Sequence, residues 1–177
     1  MTTIGIMGTH CSGKTTLATA VANKMRLPLI VGTARKIPEE RLTCIGGQID
    51  AMLAQIRAEL PHWGFVSDRT VIDNYAYYSY WAEKTTTTDG LDWNILKMAE
   101  GYVKNHHYDV IFFVNETLPL EDDGFRDTDP AYQTWILEFM RKYMSDFTKI
   151  WGADIVPVAG TTDERMEIIS KKLHWGE

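Results

Sequence analysis

Cysteine is nearly absent. Cys11 and Cys44 are the only two in 177 residues, and one of them lies inside a glycine-rich loop. This argues against a disulfide-stapled scaffold, and a reducing, cytoplasmic compartment is expected. Long apolar runs are missing as well. Hydrophobic residues make up 45% of the chain, yet no stretch approaches the roughly 18 that a membrane span requires. The first strand-like run starts at Thr3, so no signal peptide is expected. There is no basic excess: 18 Lys and Arg stand against 24 Asp and Glu, a formal charge of −6 with pI near 5.4. Proteins that hold long duplex nucleic acid by its phosphates are generally basic. A small-molecule partner is favoured, and contact with a short nucleic-acid stretch through a local patch stays open. Internal repeats, low-complexity segments and Pro/Ser-rich linkers are also absent. One domain over residues 1–177 is expected, as a monomer or homodimer.

The chain does have a phosphate-loop pattern. Gly8-Thr9-His10-Cys11-Ser12-Gly13-Lys14-Thr15 fits G-x-x-x-x-G-K-[ST] at every fixed position. The apolar run Thr3–Met7 ahead of it reads as a buried strand. Thr15–Met25 behind it reads as a helix, with Leu17, Ala18, Val21, Ala22 and Met25 on one face. The two glycines let backbone N–H groups point at phosphate oxygens, and the helix start adds its unpaired amides and positive dipole end. Lys14 supplies a point charge for the outer phosphates. The Thr15 hydroxyl suits Mg²⁺, and Thr16 offers a further hydroxyl. The pattern predicts binding of a nucleoside triphosphate, with ATP and Mg²⁺ as cofactors.

Strand-like and helical runs alternate along the rest of the chain. Strands are expected at 27–31, 64–67, 109–114 and 154–158. Helices are expected at 38–60 (broken at Gly46-Gly47), 71–84, 91–105, 131–151 and after Thr161, where Thr161 and Glu164 have capping-box spacing. This is the signature of an α/β fold, a three-layer α/β/α sandwich on a five-stranded parallel sheet of order 2-3-1-4-5. Ligands of such sheets gather at the carboxyl ends of the strands.

Other candidate residues fall on that edge. Asp68-Arg69 ends the third strand, where Asp68 could hold Mg²⁺ through water or take a proton, and Arg69 could pair with a phosphate. The competing reading is a surface Asp-Arg turn with Asp68 as an N-cap. Arg35 and Lys36 follow the second strand, placed to steer an acceptor's phosphate or carboxylate. Arg126, in the acidic loop Asn115–Pro130, could serve as an arginine finger on a lid. A solvated acidic loop is the plainer alternative. Tyr75, Tyr77, Tyr78, Tyr80 and Trp81 crowd one helix. Most of this stripe is expected to be core, with Tyr75 at the end beside Asp68 a candidate wall for a flat acceptor. Trp63 is a lesser candidate. His106-His107 point apart and make no metal site, and Cys11 is expected to line the loop.

On these residues the chain resembles small P-loop kinases of the group containing the nicotinamide riboside kinase domain, with many phage-encoded members described as AAA-type ATPase-like. The loop with its Thr9-His10 pair carries the resemblance. So do Ser67-Asp68-Arg69-Thr70 with Asp73-Asn74-Tyr75, Asp122-Asp123-Gly124-Phe125-Arg126, and Arg35. The resemblance implies phosphoryl transfer from Mg·ATP to a nucleoside or nucleotide, with Lys14, Asp68 and Arg126 catalytic, Thr15 and Asp68 at the metal, and Arg35, Arg69 and Tyr75 at the acceptor. It also implies a lid at about 116–130. Gly32 stands where related kinases often carry a Glu, so either Asp68 alone acts as base or the acceptor site differs. Two alternatives stay open: a kinase of a hydroxymethylated base within DNA, and an NTP-hydrolysing switch or motor. Against the switch, no Asn-Lys-x-Asp guanine-reading motif is present. Against a motor, Phe113-Val114-Asn115-Glu116 matches the hydrolytic strand end poorly.

Overall fold

In a computed structural model, residues 2–85, 91–106, 108–118 and 129–175 are described. Strands β1 (Thr3–Met7), β2 (Leu29–Ile30), β3 (Phe65–Asp68), β4 (Val110–Val114) and β5 (Ile155–Val158) form one parallel sheet. Its order is β2-β3-β1-β4-β5, as the alternation of elements predicts. Helix α1 (Lys14–Met25) follows β1, and a 3₁₀ turn (Thr33–Lys36) follows β2. Then come α2 (Glu39–Leu42) and α3 (Ile45–Glu59). Helices α4 (Val71–Thr85) and α5 (Leu91–His106) lie between β3 and β4, α6 (Pro130–Lys149) between β4 and β5, and α7 (Thr162–Lys172) closes the fold.

Strand side chains alternate between two cores. Ile4, Ile6, Val66, Val110 and Phe112 face Leu17 and Val21 of α1 and Ile169 of α7. Met7, Ile111 and Phe113 face Met52, Ala76, Ala99 and Ile136 from α3, α4, α5 and α6. With both faces covered, the central strands read as continuous apolar runs rather than alternating ones. Gly5 is small for a reason: a Cβ there would stand 2.6 Å from the Thr70 methyl. Its absence brings the start of α4 against β1.

The helical region after β2 breaks earlier than its glycines suggest. The break falls at Thr43-Cys44, and Gly46-Gly47 sit in the first turn of α3. A Cβ on Gly47 would overlap the Arg41 carbonyl, so this glycine serves the close crossing of α2 on α3. Strand β2 is shorter than the expected 27–31. At α7 the capping box forms, with the Thr161 hydroxyl accepting from the Glu164 amide and the Glu164 carboxylate accepting from the Thr161 amide at 2.7 Å.

Candidate active site

The turn after β1 uses backbone that ordinary residues avoid. Gly8 has φ 152 and Gly13 φ 82. A Cβ on Gly8 would lie 3.0 Å from the Val114 carbonyl, and one on Gly13 would lie 3.0 Å from the Arg165 guanidinium. Cys11 adopts φ 51, with its carbonyl accepting from the Leu118 amide at 2.7 Å. Helix α1 then starts at Lys14, its amide end directed into the loop. Lys14 is 5% exposed. Its ammonium donates to the Thr9 carbonyl and lies 3.3 Å from the Ser12 hydroxyl, so the charge is held inside the loop's curve.

Three elements brace this loop. From α4, the Asp73 carboxylate accepts from the Gly8 amide at 2.9 Å with one oxygen. The other accepts from the Thr70 amide and hydroxyl, both at 2.7 Å. Burial pushes the Asp73 carboxyl above its ordinary value, while Lys14, Arg69 and the Gly8 amide pull it back. One turn further along α4, the Tyr77 hydroxyl accepts from the His10 amide at 2.9 Å and pairs with His10 Nδ1 at 3.0 Å. From α6, the Gln133 amide group donates to the His10 carbonyl at 2.9 Å. From α7, buried Arg165 donates to the Ser12 carbonyl at 2.8 Å and pairs with Glu116 at 2.6 Å. Glu116 also accepts from the Gly160 amide at 2.6 Å, tying the loop after β5 to the same clasp.

Facing the loop is the end of β3. The Thr15 hydroxyl donates to Asp68 Oδ2 at 2.6 Å, so the two oxygens suited to a hard divalent cation stand together. Arg69 follows in left-handed backbone, φ 103, its amide donating to the Ile6 carbonyl at 3.1 Å. Its guanidinium lies 4.9 Å over the Tyr77 ring. Burial opposes its charge, but Tyr77, Asp73 and Asp68 outweigh that and keep it a firm cation.

A cleft of about 430 Å³ joins these parts. Residues 10–16, Gly32, Ala34, Arg35, Asp68, Arg69 and Leu118 line it, and Gly32 sits directly beside Asp68 and Arg69, as β2 pairs with β3. Of the loop residues expected to contact the nucleotide, His10, Cys11, Ser12, Gly13, Lys14, Thr15 and Thr16 line the cleft. Gly8 and Thr9 lie behind it, buried. Asp68, Arg69 and Arg35 also line it.

Tyr75 does not. It packs on Tyr78, Phe139 and Trp151, with ring centroids 6.3, 6.1 and 5.5 Å away, on the side of α4 that meets α6. Tyr77 is the tyrosine that reaches the loop. Trp63 is 86% exposed and precedes β3, at the sheet end away from the cleft. Arg126 and most of the expected lid lie outside the described residues. Among the described residues, no group of three His, Cys, Asp or Glu side chains could hold a metal, and no helix is long and apolar enough to cross a membrane.

Fold and loop together define a P-loop α/β protein of the nucleoside-kinase-like architecture. The AAA domain family matches residues 3–165, and the chain belongs to that family. Solved structures of similar fold include deoxyadenosine kinase from M. mycoides with bound dATP, at 13% identity and TM-score 0.73 over 97% of this chain and 99% of that one. The YorR protein from Bacillus subtilis in complex with phosphorylated GDP is 17% identical, with TM-score 0.61 over 98% and 96%. The NadR protein in complex with NR is 17% identical, with TM-score 0.67 over 99% of this chain and 52% of that one. At these identities the likeness is one of fold. No curated protein matches the chain.

Proposed function

We propose that the protein is a phosphotransferase that moves the γ-phosphoryl group of Mg·ATP to a nucleoside or nucleotide acceptor. The observation that carries this reading is the arrangement across one cleft. Lys14, the hydrogen-bonded Thr15–Asp68 pair, Arg35 and Arg69 line one cleft, and we assign the first three to the donor and the two arginines to the acceptor. The neighbours described above, two of them named with bound nucleotides, support the same class of ligand.

The chemistry of phosphoryl transfer asks for positioning and charge compensation more than for covalent catalysis. The loop amides and the α1 terminus would cradle the inner phosphates. With a triphosphate in place, the Lys14 ammonium would exchange the Thr9 carbonyl for phosphate oxygens. Thr15 and Asp68 fit Mg²⁺, which prefers a few hard oxygens and keeps the rest of its shell as phosphate and water. When bound, the ion supplies charge neutralisation at the outer phosphates. Arg69, rigid over Tyr77, would neutralise charge developing on the acceptor side, and Arg35 would orient the acceptor. Arg126 is proposed to join them from a closing lid, which would exclude water as a competing acceptor.

The test is ADP release measured against panels of nucleosides, nucleoside monophosphates and base-modified DNA. Release that depends on one acceptor class supports the proposal. ATP turnover indifferent to every acceptor would replace it with an NTP-hydrolysing switch.

A further inference from the structure

Resting on the phosphotransferase reading, we infer that the acceptor atom is a phosphate oxygen of a nucleoside monophosphate and not a hydroxyl. The two acceptors make opposite demands on a site. A hydroxyl must lose a proton as it attacks, so it needs a carboxylate or imidazole free to take that proton. A phosphate monoester is already largely dianionic at neutral pH and needs cations instead.

Among the described residues, carboxylates are scarce along the cleft. Among the described residues lining the cleft, Asp68 carries the only one. Its Oδ2 is engaged by the Thr15 hydroxyl at 2.6 Å, on the donor side. Asp73 is fully buried, with both oxygens occupied by Gly8 and Thr70. Glu59, the other buried acid near β3, is 1% exposed and accepts from Gln55, Ser67, Tyr102 and Tyr108. Glu116 is paired with Arg165. The His10 ring is 6% exposed, with its Nδ1 paired with the Tyr77 hydroxyl.

Beside Asp68, the turn after β2 supplies no second acid: the residue there is Gly32, where a Cβ would stand 3.2 Å from the Asp68 carbonyl and 3.4 Å from the Arg69 side chain.

Two cations line the same cleft. Arg35 is exposed to the cleft from the 3₁₀ turn, and Arg69 faces it from the end of β3. Once Lys14 serves the donor, these two planar guanidinium groups share the cleft with one described carboxylate. They suit bidentate contact with a phosphate. The step balances without a base. An acceptor phosphate oxygen forms a bond to the γ-phosphorus, and the bond to the β,γ-bridging oxygen breaks. ADP leaves with that electron pair, and no proton is released. Transfer to a hydroxyl releases one proton per turnover.

The experiment gives the full-length protein γ-labelled Mg·ATP and separate panels of nucleoside monophosphates, nucleosides and hydroxymethylated DNA. It reads labelled product by chromatography and proton release in weak buffer. The expected result is label in a nucleoside diphosphate with no proton released. The variant Arg35→Ala should raise KM for the monophosphate about ten- to a hundred-fold, with KM for ATP little changed and partial rescue by Arg35→Lys. Label in a nucleoside product or in DNA, with one proton per transfer, overturns the inference and leaves the phosphotransferase reading intact. No transfer to any acceptor overturns both.

Discussion

Asp73 offers the sharpest structural test, because its carboxylate joins the first residue of the loop to the start of α4. The substitution Asp73→Asn keeps size and shape while changing one acceptor oxygen into a donor. The native carboxylate accepts three hydrogen bonds, from the Gly8 amide at 2.9 Å and from the Thr70 amide and hydroxyl at 2.7 Å each. An Asn side chain that keeps its oxygen toward Thr70 turns an N–H toward the Gly8 N–H. That leaves a buried donor without a partner, at about 1–3 kcal/mol. The surviving bonds also lose their charge-assisted character, about 1 kcal/mol more. Relief of the buried charge offsets part of this. The net expectation is about 2–3 kcal/mol, or a fall in melting temperature of about 5–10 °C for a chain of this size. Loosening the loop's entry should also weaken Mg·ATP about tenfold. Thermal melting with and without nucleotide, together with a nucleotide titration, measures both effects. A variant that melts within about 1 °C of wild type and binds equally well would refute the brace.

The Tyr77→Phe variant removes the oxygen that accepts the His10 amide. It should cost about 1–2 kcal/mol in urea unfolding and raise KM for ATP more than KM for the acceptor. Thr15→Ala should raise the Mg²⁺ concentration for half-maximal transfer about tenfold or more, read from metal titrations of initial rate. Glu59→Gln tests the buried acid behind β3. Burial holds the Glu59 carboxyl above its ordinary 4.5, so the folded state binds that proton more tightly than the unfolded chain does. The associated stability is complete below that value and is lost as pH rises through the higher folded one. Melting temperatures taken from about pH 5 to pH 8 should therefore decline less steeply in the Gln variant than in wild type.

Much of the site was legible because its signals are local. The loop's glycines, Lys14 and Thr15 occupy fixed spacings, and Asp68 closes an apolar run, so strand-end placement followed from order alone. The tyrosine helix was harder. Tyr75, Tyr77, Tyr78 and Tyr80 cover several faces of α4, and their pattern does not say which face meets the loop. Asp73 held the clue: Tyr77 lies four residues on, sharing its side of the helix. Gln133 and Arg165 reach the loop from 123 and 153 residues away in sequence, where no local motif marks them. Arg165 left one trace, a charged residue four before Ile169 on the buried side of α7. The break at Thr43-Cys44 was hidden by the glycine pair beside it, which proved to serve a helix crossing rather than a turn.

The most direct measurement is calorimetric titration of Mg·ATP into wild-type protein and the Lys14→Ala variant, with circular dichroism confirming that both are folded. Lys14 lies within the loop's curve, so its loss should weaken the triphosphate by about a hundredfold or more while the fold persists. A folded Ala variant that takes up Mg·ATP as tightly as wild type would mean that this loop does not hold the phosphates.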